Sequence, residues 1–353
     1  MEIDYGLLLT FIVAVLMSAR LMHWFIWKMS VKRVVVNDMH KPDGREVATN
    51  AGILTLFVVL ITVIFLPLVF RFVNRFAGEG FLPRDPSDID NAILIVLLMY
   101  AFYGVLDDFI DVGRTSKIIL PLLFSYPLVL VLTGWDPWIP GVGVIQSAQY
   151  SFDLWGFGEV TGSTFIRYII VPVYIMVVAN LKNMHSGFNG LQSGCAFIVL
   201  VAVLLKAWVE DDLDNLYTAA AIAGALLVFL WYNKYPSRAF EGNIGSMAVG
   251  GALGAIIVSK HYLWAGTVML IPHIANFVLY VYWRAQNKRL PDDPRYATAK
   301  FSKVREDGTL EVPNPYTLKW ILPYYYRMNE KQATTAMWAV TGVFCVLGIF
   351  VPG

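Results

Sequence analysis

The chain has 353 residues, with 27 lysines and arginines against 26 aspartates and glutamates, and a formal net charge of +1. Hydrophobic residues make up 57% of it and charged residues only 15%, whereas soluble domains carry about 25% charged residues. The composition therefore indicates a polytopic membrane protein rather than a soluble globular one. The near-zero net charge also argues against nucleic acid as a partner.

Long apolar segments recur along the whole chain. A membrane-spanning helix needs about 20 mostly apolar residues, and this template predicts an all-α, polytopic membrane protein with about ten transmembrane helices. We treat residues 1–353 as one integral membrane domain. The predicted helices cover residues 5–28, 51–70, 91–107, 117–133, 164–181, 190–208, 215–232, 244–259, 261–283 and 333–351.

Two of the connections are long, and the basic residues lie mostly on one side. Segment 134–163 is rich in Gly, Trp and Ser and is compatible with a β-hairpin, and segment 284–332 is strongly basic. Basic residues are concentrated in connections 1–2, 3–4, 5–6, 7–8 and 9–10. The positive-inside rule then predicts that these connections, including the loop 284–332, are cytoplasmic and that both termini lie outside.

The first polar motif is the run 104–111, GVLDDFID, at the end of the third apolar segment. Carboxylates at the edge of a membrane helix are costly, so Asp107, Asp108 and Asp111 indicate a functional site. Asp108 and Asp111 are three residues apart and share a helix face. Clustered hard oxygen ligands suit Mg²⁺, which usually binds together with phosphates.

The second motif is the run 180–191, NLKNMHSGFNGL, between helices five and six. Asn180 and Asn183 lie one helical turn apart, and a carboxamide can ligate Mg²⁺ or read the edge of a heterocycle. The glycines allow a tight turn and close approach to a ligand. An ordinary Asn- and Gly-rich turn explains this segment equally well when it is taken alone.

The third motif is the run 240–246, FEGNIGS, at the start of helix eight. A glycine-flanked helix N-terminus offers free N–H groups to a phosphate, although a simple cap by Asn243 or Ser246 is the alternative. All three motifs fall on the predicted cytoplasmic face. Acids, amides and a helix N-terminus on one face are suited to binding an Mg²⁺–diphosphate.

The order and spacing of these motifs resemble the polyprenyl-phosphate N-acetylhexosamine-1-phosphate transferases, glycosyltransferase family 4. The shared features are an Asp-Asp-x-x-Asp stretch after helix three, an Asn-x-x-Asn…Asn-Gly-Leu stretch after helix five, and a Gly-Asp-x-Gly-Ser-like stretch at helix eight. Residues 183–191 and the phrase DGTLE at 307–311 are nearer the archaeal and eukaryotic UDP-GlcNAc:dolichyl-phosphate GlcNAc-1-phosphate transferases.

The resemblance implies roles for particular residues. Asp107 and Asp108 match paired aspartates that handle the lipid phosphate, and Lys117 matches a lysine that contacts the diphosphate. Asn189 matches a position that reads uracil, and Phe240 one that stacks on it. The predicted catalytic residues are Asp107, Asp108, Asp111 and Lys117; the metal ligands are Asn183, Asn243 and Asp108; and the substrate-binding residues are Asn180, Asn189, Gly190, Phe240, Gly242, Gly245, Ser246, Lys41, Asp38 and His185.

Two departures from the family pattern matter. Asn243 stands where the family has a metal-binding aspartate, and a neutral amide is a weaker ligand for a hard cation. Either the geometry compensates, Asp111 contributes more, or activity is reduced or absent. The last loop also lacks a clear Arg-His-Arg or triple-His signature, so its sugar-contacting residues stay unassigned.

The resemblance implies an Mg²⁺-dependent enzyme, with Mn²⁺ as the alternative ion. It would transfer N-acetylhexosamine-1-phosphate, in the first instance GlcNAc-1-phosphate, from a UDP-sugar to a polyprenyl or dolichyl phosphate, as in the first membrane step of N-glycosylation. The bilayer is a further partner, a homodimer is left open, and the location is an archaeal cell membrane or a eukaryotic endoplasmic reticulum. The alternatives are another UDP-sugar, undecaprenyl phosphate, a non-catalytic homologue, or a transporter.

Overall fold

A computed structural model describes residues 4–41, 44–77, 86–110, 112–113, 116–132, 138–139, 143–144, 149–154, 158–296, 298–299 and 301–352. Helices dominate these residues. They are α1 (Tyr5–Val31), α2 (Gly52–Ala77), α3 (Asp88–Ile110), α4 (Ser116–Leu123), α5 (Tyr126–Val131), α6 (Gly162–Phe165), α7 (Val171–Met184), α8 (Leu191–Val209), α9 (Tyr217–Asn233), α10 (Gly242–Ser259), α11 (Leu263–Met269), α12 (Ile271–Arg289), α13 (Leu318–Tyr325) and α14 (Glu330–Ile349).

Short antiparallel strand pairs connect some of the helices. They are β1 (Val35–Asn37) with β2 (Glu46–Ala48), β3 (Trp138–Ile139) with β4 (Gly143–Val144), β5 (Ser151–Leu154) with β6 (Gly158–Thr161), and β7 (Lys303–Val304) with β8 (Leu310–Glu311). A π-helical turn at Ile166–Ile170 joins α6 to α7. The second and third pairs confirm hairpin structure within segment 134–163.

The helices confirm an all-α, polytopic membrane protein. Among the described residues, seven helices are long and apolar enough to cross a membrane, or eight if the bent pair α11–α12 is one span. That pair is bent by 66° beside Pro272, which lacks the N–H that a continuous helix needs. Two shorter apolar helices cover 118–131 and 217–233. All ten predicted segments contain helix, and the number of crossings stays a prediction.

Helix α10 is the buried centre of the bundle. Every residue from Ile244 to Ser259 is buried, and the helix packs mainly on α3 and α7. Its glycines make this possible, because a Cβ at Gly251 would lie 2.6 Å from the Tyr100 ring and one at Gly250 would lie 2.8 Å from the Ala179 Cα. The glycine-rich sequence thus predicts the close helix packing correctly.

Three helices converge tightly at the end of the bundle where α10 begins. A Cβ at Gly52 of α2 would lie 2.4 Å from the Cα of Gly245, and one at Gly104 of α3 would lie 2.5 Å from the carbonyl oxygen of Asn243. The β1–β2 hairpin joins this end, because the Phe240 N–H donates to the Ala48 carbonyl at 2.7 Å. The packing therefore fixes the first loop and the ends of α2 and α3 against the start of α10.

Replacing Gly104 by alanine is expected to destabilise the protein by about 1–3 kcal/mol or more, because the added methyl meets backbone atoms that cannot move aside. Thermal unfolding in detergent measures the effect. The matched control is Gly342→Ala in α14, where a Cβ has nothing within 4 Å. Equal melting temperatures for the two variants would contradict this packing.

Candidate active site

The three sequence motifs meet at a cavity of about 470 Å³. It lies at the end of the bundle where α10 begins, and the first loop closes one side of it. The wall combines carboxylates, carboxamides, glycines and aromatic rings. The lining residues include Asn37, Asp38, His40, Asn50, Asp108, Asn183, Phe188, Asn189, Gln192, Phe240, Glu241, Gly242, Asn243, Ser246 and Phe301.

The paired aspartates differ in position. Asp108 lines the cavity, whereas Asp107 is buried behind it. The Asn243 side-chain N–H donates to Asp107 Oδ2 at 3.1 Å, and the Val112 N–H donates to Asp107 Oδ1 at 3.3 Å. Asp108 lies beside Asn243 and Ile244 at the start of α10. The amide of Asn243 therefore donates to the buried Asp107 next to the aspartate that lines the cavity.

Asn183 reaches the same place from the end of α7. Its Oδ1 accepts a hydrogen bond of 2.6 Å from the Ser246 hydroxyl, one turn into α10. Next to it, Lys182 donates to both carboxylate oxygens of Glu241 at 2.7 and 2.8 Å, and both side chains are buried. Breaking a buried ion pair costs about 3–5 kcal/mol, so this pair holds the second and third motifs together.

The turn after α7 is fixed by contacts to distant segments. Gly187 and Gly190 adopt φ angles of +107° and +74°, which favour glycine. The Asn189 N–H donates to Glu330 Oε1 at 2.6 Å, and its Oδ1 accepts from the Ser237 N–H at 2.8 Å. The side chain of Asn189 is thus partly committed to the protein, although it lines the cavity.

The first loop adds a buried charge cluster. Lys41 forms ion pairs with Glu330 and, at 3.2 Å, with Asp38. Asp38, His40 and Glu330 offer ligand atoms within 4.8 Å of one another. The Lys41 ammonium already pairs with both carboxylates of this cluster, however, and burial together with the nearby Lys319 lowers the pKa of His40 to about 4. The positive charge of the two lysines therefore makes this group a poor site for a cation.

The shifted His40 pKa predicts a pH dependence. In the unfolded chain a histidine binds its proton below pH 6.5, whereas the folded protein protonates His40 only near pH 4. Stability should therefore fall as the pH drops from 6.5 to 4, by up to about 3 kcal/mol from this residue. Melting temperatures across this range should change less in His40→Gln than in the unaltered protein, and His23→Gln, at an exposed histidine of α1, serves as the control. A slope unchanged in His40→Gln would refute the assignment.

The remaining predicted residues lie outside the described lining of the cavity. Asn180 donates to the Met176 carbonyl of its own helix at 2.9 Å. Gly190 packs against Lys234 and Trp338, and Gly245 against Gly52.

His185 is buried with its ring 4.7 Å from that of His273, and burial lowers the pKa of His185. Lys41 forms its ion pairs with Asp38 and Glu330. Asp111 lies outside the described residues. Lys117 is the second residue of α4, and its side chain lies outside the described part.

Several site residues have only a weak sequence signal or none. Lys319 of α13 is partly buried, and its Nζ donates to the Ser186 carbonyl at 2.5 Å. Desolvation of the ammonium lowers the pKa of Lys319 to about 8. Lys319 also lines a second cavity of about 400 Å³ with Tyr280, Trp283, Tyr316 and Trp320. Glu330, Glu241 and Lys182 were not predicted as site residues either. Sequence spacing gave no reason to bring Glu330 to Asn189.

The structure is a helical bundle with membrane-spanning segments, and carboxylates, carboxamides and a helix N-terminus meet at one end of it. Such a set of groups is suited to binding a cation and phosphate. Residues 91–261 match the glycosyl transferase family 4 profile. Over these residues the chain is similar to glycosyl transferase family 4, and this match, together with the relatives, indicates a glycosyl-1-phosphate transferase.

Relatives cover nearly the whole chain. A protein of Saccharolobus solfataricus named "Putative UDP-N-acetylglucosamine--dolichyl-phosphate N-acetylglucosaminephosphotransferase" is 26% identical over 92% of this chain and 90% of its own length. A phospho-N-acetylmuramoyl-pentapeptide-transferase of Streptococcus mutans is 28% identical over 80% and 82%. Another of Oceanobacillus iheyensis is 26% identical over 98% of both chains. The names of these relatives give different transferred groups, so they support the family and not a particular substrate.

The cavity fits the divalent metal that this family uses. A carboxylate oxygen of Asp108 and the amide oxygens of Asn183 and Asn243 are hard donors on one wall. Mg²⁺ commonly takes one or two carboxylates and completes its shell with water and substrate phosphates. Because Asn243 uses its amide N–H on Asp107, its oxygen is the atom able to ligate. The donor set is suitable, although it holds one carboxylate fewer than the family pattern.

Proposed function

We propose that this protein transfers N-acetylhexosamine-1-phosphate from a UDP-sugar to a polyprenyl phosphate. The observation that carries the proposal is the gathering of Asp108, Asn183 and Asn243 at one cavity beside the N-terminus of α10. These groups match what a sugar diphosphate needs: oxygen donors for a cation and N–H groups for phosphate oxygens.

In the proposed reaction an oxygen of the lipid phosphate attacks the β-phosphorus of the UDP-sugar. The new bond joins this oxygen to phosphorus, and the bridging oxygen leaves with UMP. A lipid phosphate is largely ionised at neutral pH because its second pKa is about 6. A general base is therefore helpful rather than essential, and Asp107 or Asp108 would accept any remaining proton.

We expect most of the rate enhancement to come from positioning the substrates and stabilising the charge of the transition state. Asp108, near the end of α3, lies at the cavity wall beside the first turn of α10. Gly242, with φ of +75°, lets the backbone come close to a ligand. A bound Mg²⁺, or Mn²⁺ as the alternative, would neutralise the diphosphate charge at Asp108, Asn183 and Asn243. Phe240 lies in the same wall and offers a ring for a base to stack on.

The finer proposal is UDP-GlcNAc as donor and dolichyl phosphate as acceptor, in the membrane of an archaeon. The name of the Saccharolobus relative supports both substrates, and the basic connections support a cytoplasmic active site with the termini outside. The segment 284–332 would be a cytoplasmic loop within a single domain; α12 runs into it as far as Arg289. A homodimer is compatible with this arrangement.

A second candidate follows from Asn243. An amide where the family has a metal-binding carboxylate lowers the negative charge available to a cation, which favours a binding-only homologue as the alternative. Undecaprenyl phosphate and other UDP-sugars remain the alternative substrates, and the name of the Streptococcus relative supports a different sugar-phosphate group.

One assay separates these functions. Purified protein is incubated with UDP-[¹⁴C]GlcNAc and either dolichyl or undecaprenyl phosphate, with Mg²⁺, Mn²⁺ or EDTA, and label in the lipid extract is measured with UMP release. We expect lipid-linked label and equimolar UMP with dolichyl phosphate and Mg²⁺, and neither with EDTA. Nucleotide binding without product would support the binding-only homologue, and neither binding nor product from any UDP-sugar would overturn the proposal.

A further inference from the structure

A third cavity, of about 350 Å³, lies between α1, β2 and the segment that follows α9. Its described lining shares no residue with the active-site cavity. Its walls are formed by His23 and Trp27 of α1, Arg45 and Glu46 at β2, Tyr232 at the end of α9, and Arg238 after α9. The family assignment and the proposed transfer reaction give this cavity no role.

The cavity has an excess of positive charge. Arg45 donates through one terminal nitrogen to the Ser237 carbonyl at 2.8 Å, and its Nε is buried without a hydrogen-bond partner among the described residues. Its nearest recorded carboxylate is Asp38, at 3.9 Å. Arg238 is exposed and stacks over the Tyr232 ring, with its Cζ 4.4 Å from the ring centre. The one acid of the lining, Glu46, already pairs with Arg33 at 3.3 Å.

The guanidinium groups of Arg45 and Arg238 have N–H donors that no described residue accepts from, and such donors are suited to a phosphate. The planar guanidinium can donate two parallel hydrogen bonds to two oxygens of one phosphate, and it is charged at any physiological pH. Arg33 offsets part of the Glu46 charge, and the lining holds two arginines against this one acid, so the cavity favours an anion. The chemistry points to a phosphate monoester or diester.

The surroundings indicate that this phosphate belongs to a lipid. Trp24 and Trp27, near the end of the spanning helix α1, are 50% and 53% exposed, and Trp231 at the end of α9 is 61% exposed. Lys234 lies 3.2 Å from the centre of the Trp231 ring. Exposed tryptophans at helix ends mark the membrane interface, where phospholipid phosphates lie, and basic pockets between membrane helices bind anionic headgroups.

We propose that the cavity between α1, β2 and the end of α9 binds the headgroup phosphate of an anionic membrane phospholipid. Arg45 and Arg238 would hold the phosphate oxygens, and Trp27 would pack beside the lipid. The proposal does not depend on the transfer reaction, because it concerns binding at a separate cavity.

Bound lipid would also act on the active site. Arg45 holds the Ser237 carbonyl, and the Ser237 N–H in turn donates to Asn189, which lines the active-site cavity. A phosphate that orders Arg45 therefore stabilises the backbone that positions Asn189. Anionic lipid is expected to raise the melting temperature of the protein as well as occupy the cavity.

The test uses the full chain in detergent, titrated with short-chain phosphatidylglycerol, phosphatidylcholine or inorganic phosphate, and monitored by thermal unfolding and native mass spectrometry. We expect phosphatidylglycerol to bind and to raise the melting temperature, while the other two leave it unchanged. Arg238→Ala should weaken phosphatidylglycerol binding at least about ten-fold, since one charge-assisted contact of this kind is lost.

The matched control is Lys32→Ala, which removes an exposed charge near the end of α1 outside this cavity. It should leave phosphatidylglycerol binding unchanged. Arg45→Lys keeps the charge but loses the paired geometry, and it should weaken binding in a folded protein. Equal effects of Arg238→Ala and Lys32→Ala, equal stabilisation by the neutral lipid, or stabilisation by inorganic phosphate alone would each overturn the proposal.

Discussion

Asp108→Asn is expected to lower the rate of sugar-phosphate transfer at least about 100-fold, the size of loss seen when one well-placed charge-stabilising group is removed. Asp108 is the paired aspartate that faces the cavity, and it supplies the carboxylate among the proposed metal ligands there. The asparagine has nearly the same shape, and its oxygen can still accept from the N–H groups at the start of α10. The change therefore removes the charge and leaves the packing.

The measurement is the turnover of purified protein with UDP-GlcNAc and dolichyl phosphate, together with the melting temperature. Asp293→Asn is the matched control, because Asp293 pairs with Arg295 at 2.7 Å in the last loop, outside the described lining of the cavity. It should keep full activity. A folded Asp108→Asn protein with normal turnover would show that this carboxylate does not take part in the reaction.

The sequence predicts the helices and the meeting of the motifs because both follow from local patterns. Apolar length identifies each membrane segment, and the positive-inside rule places all three motifs on one face before any contact is known. The structure brings Asp108, Asn183 and Asn243 to one cavity as expected. What unites them physically is the start of α10, to which α3 and α7 both pack.

The direction of each side chain was not predictable in the same way. Asn180 and Asn183 are one turn apart in sequence, yet Asn180 bonds its own helix and Asn183 bonds Ser246. Which of them faces the cavity depends on the rotation of α7 against α10, and this is set by the glycines of α10. Local spacing carries no information on that rotation.

Long-range partners were missed for a related reason. Glu330 lies 141 residues from Asn189 and begins a helix, where an acid is ordinarily explained by the helix dipole. Lys182 and Glu241 each stand inside a predicted motif, but only the packed helices make them a buried ion pair. Charged residues that hold motifs together therefore have the same sequence signal as charged residues that face water.

The amide of Asn243 helps the folded protein to tolerate two adjacent aspartates. Its side-chain N–H donates to Asp107 at 3.1 Å, and Asn243 also lies beside Asp108, so a neutral group stabilises part of the negative charge. In a site with a third carboxylate at this position, that compensation would have to come from a cation. With the proposed metal ligands, the amide would therefore lower the affinity for the cation and raise the stability of the metal-free protein.

Asn243→Asp should lower the stability of the metal-free protein and raise its affinity for a divalent cation. Without divalent cation, the variant should melt several degrees below the unaltered protein, because it places a third carboxylate against Asp107 and Asp108 and removes the donor to Asp107. Added Mn²⁺ should restore the melting temperature, and the dissociation constant for Mn²⁺, measured by electron paramagnetic resonance, should fall about ten-fold or more with the extra charged ligand. Stabilisation by the ion follows because it binds only the folded site.

The control for added charge is Asn329→Asp. Asn329 caps α14 through a hydrogen bond to the Gln332 N–H, a role that aspartate fills equally well, and it lies outside the described lining of the cavity. This variant should melt like the unaltered protein and bind Mn²⁺ no more tightly. If Asn243→Asp behaves in the same way as Asn329→Asp, with neither loss of stability nor gain in Mn²⁺ affinity, then Asn243 does not stand at a metal position and the cation must bind elsewhere.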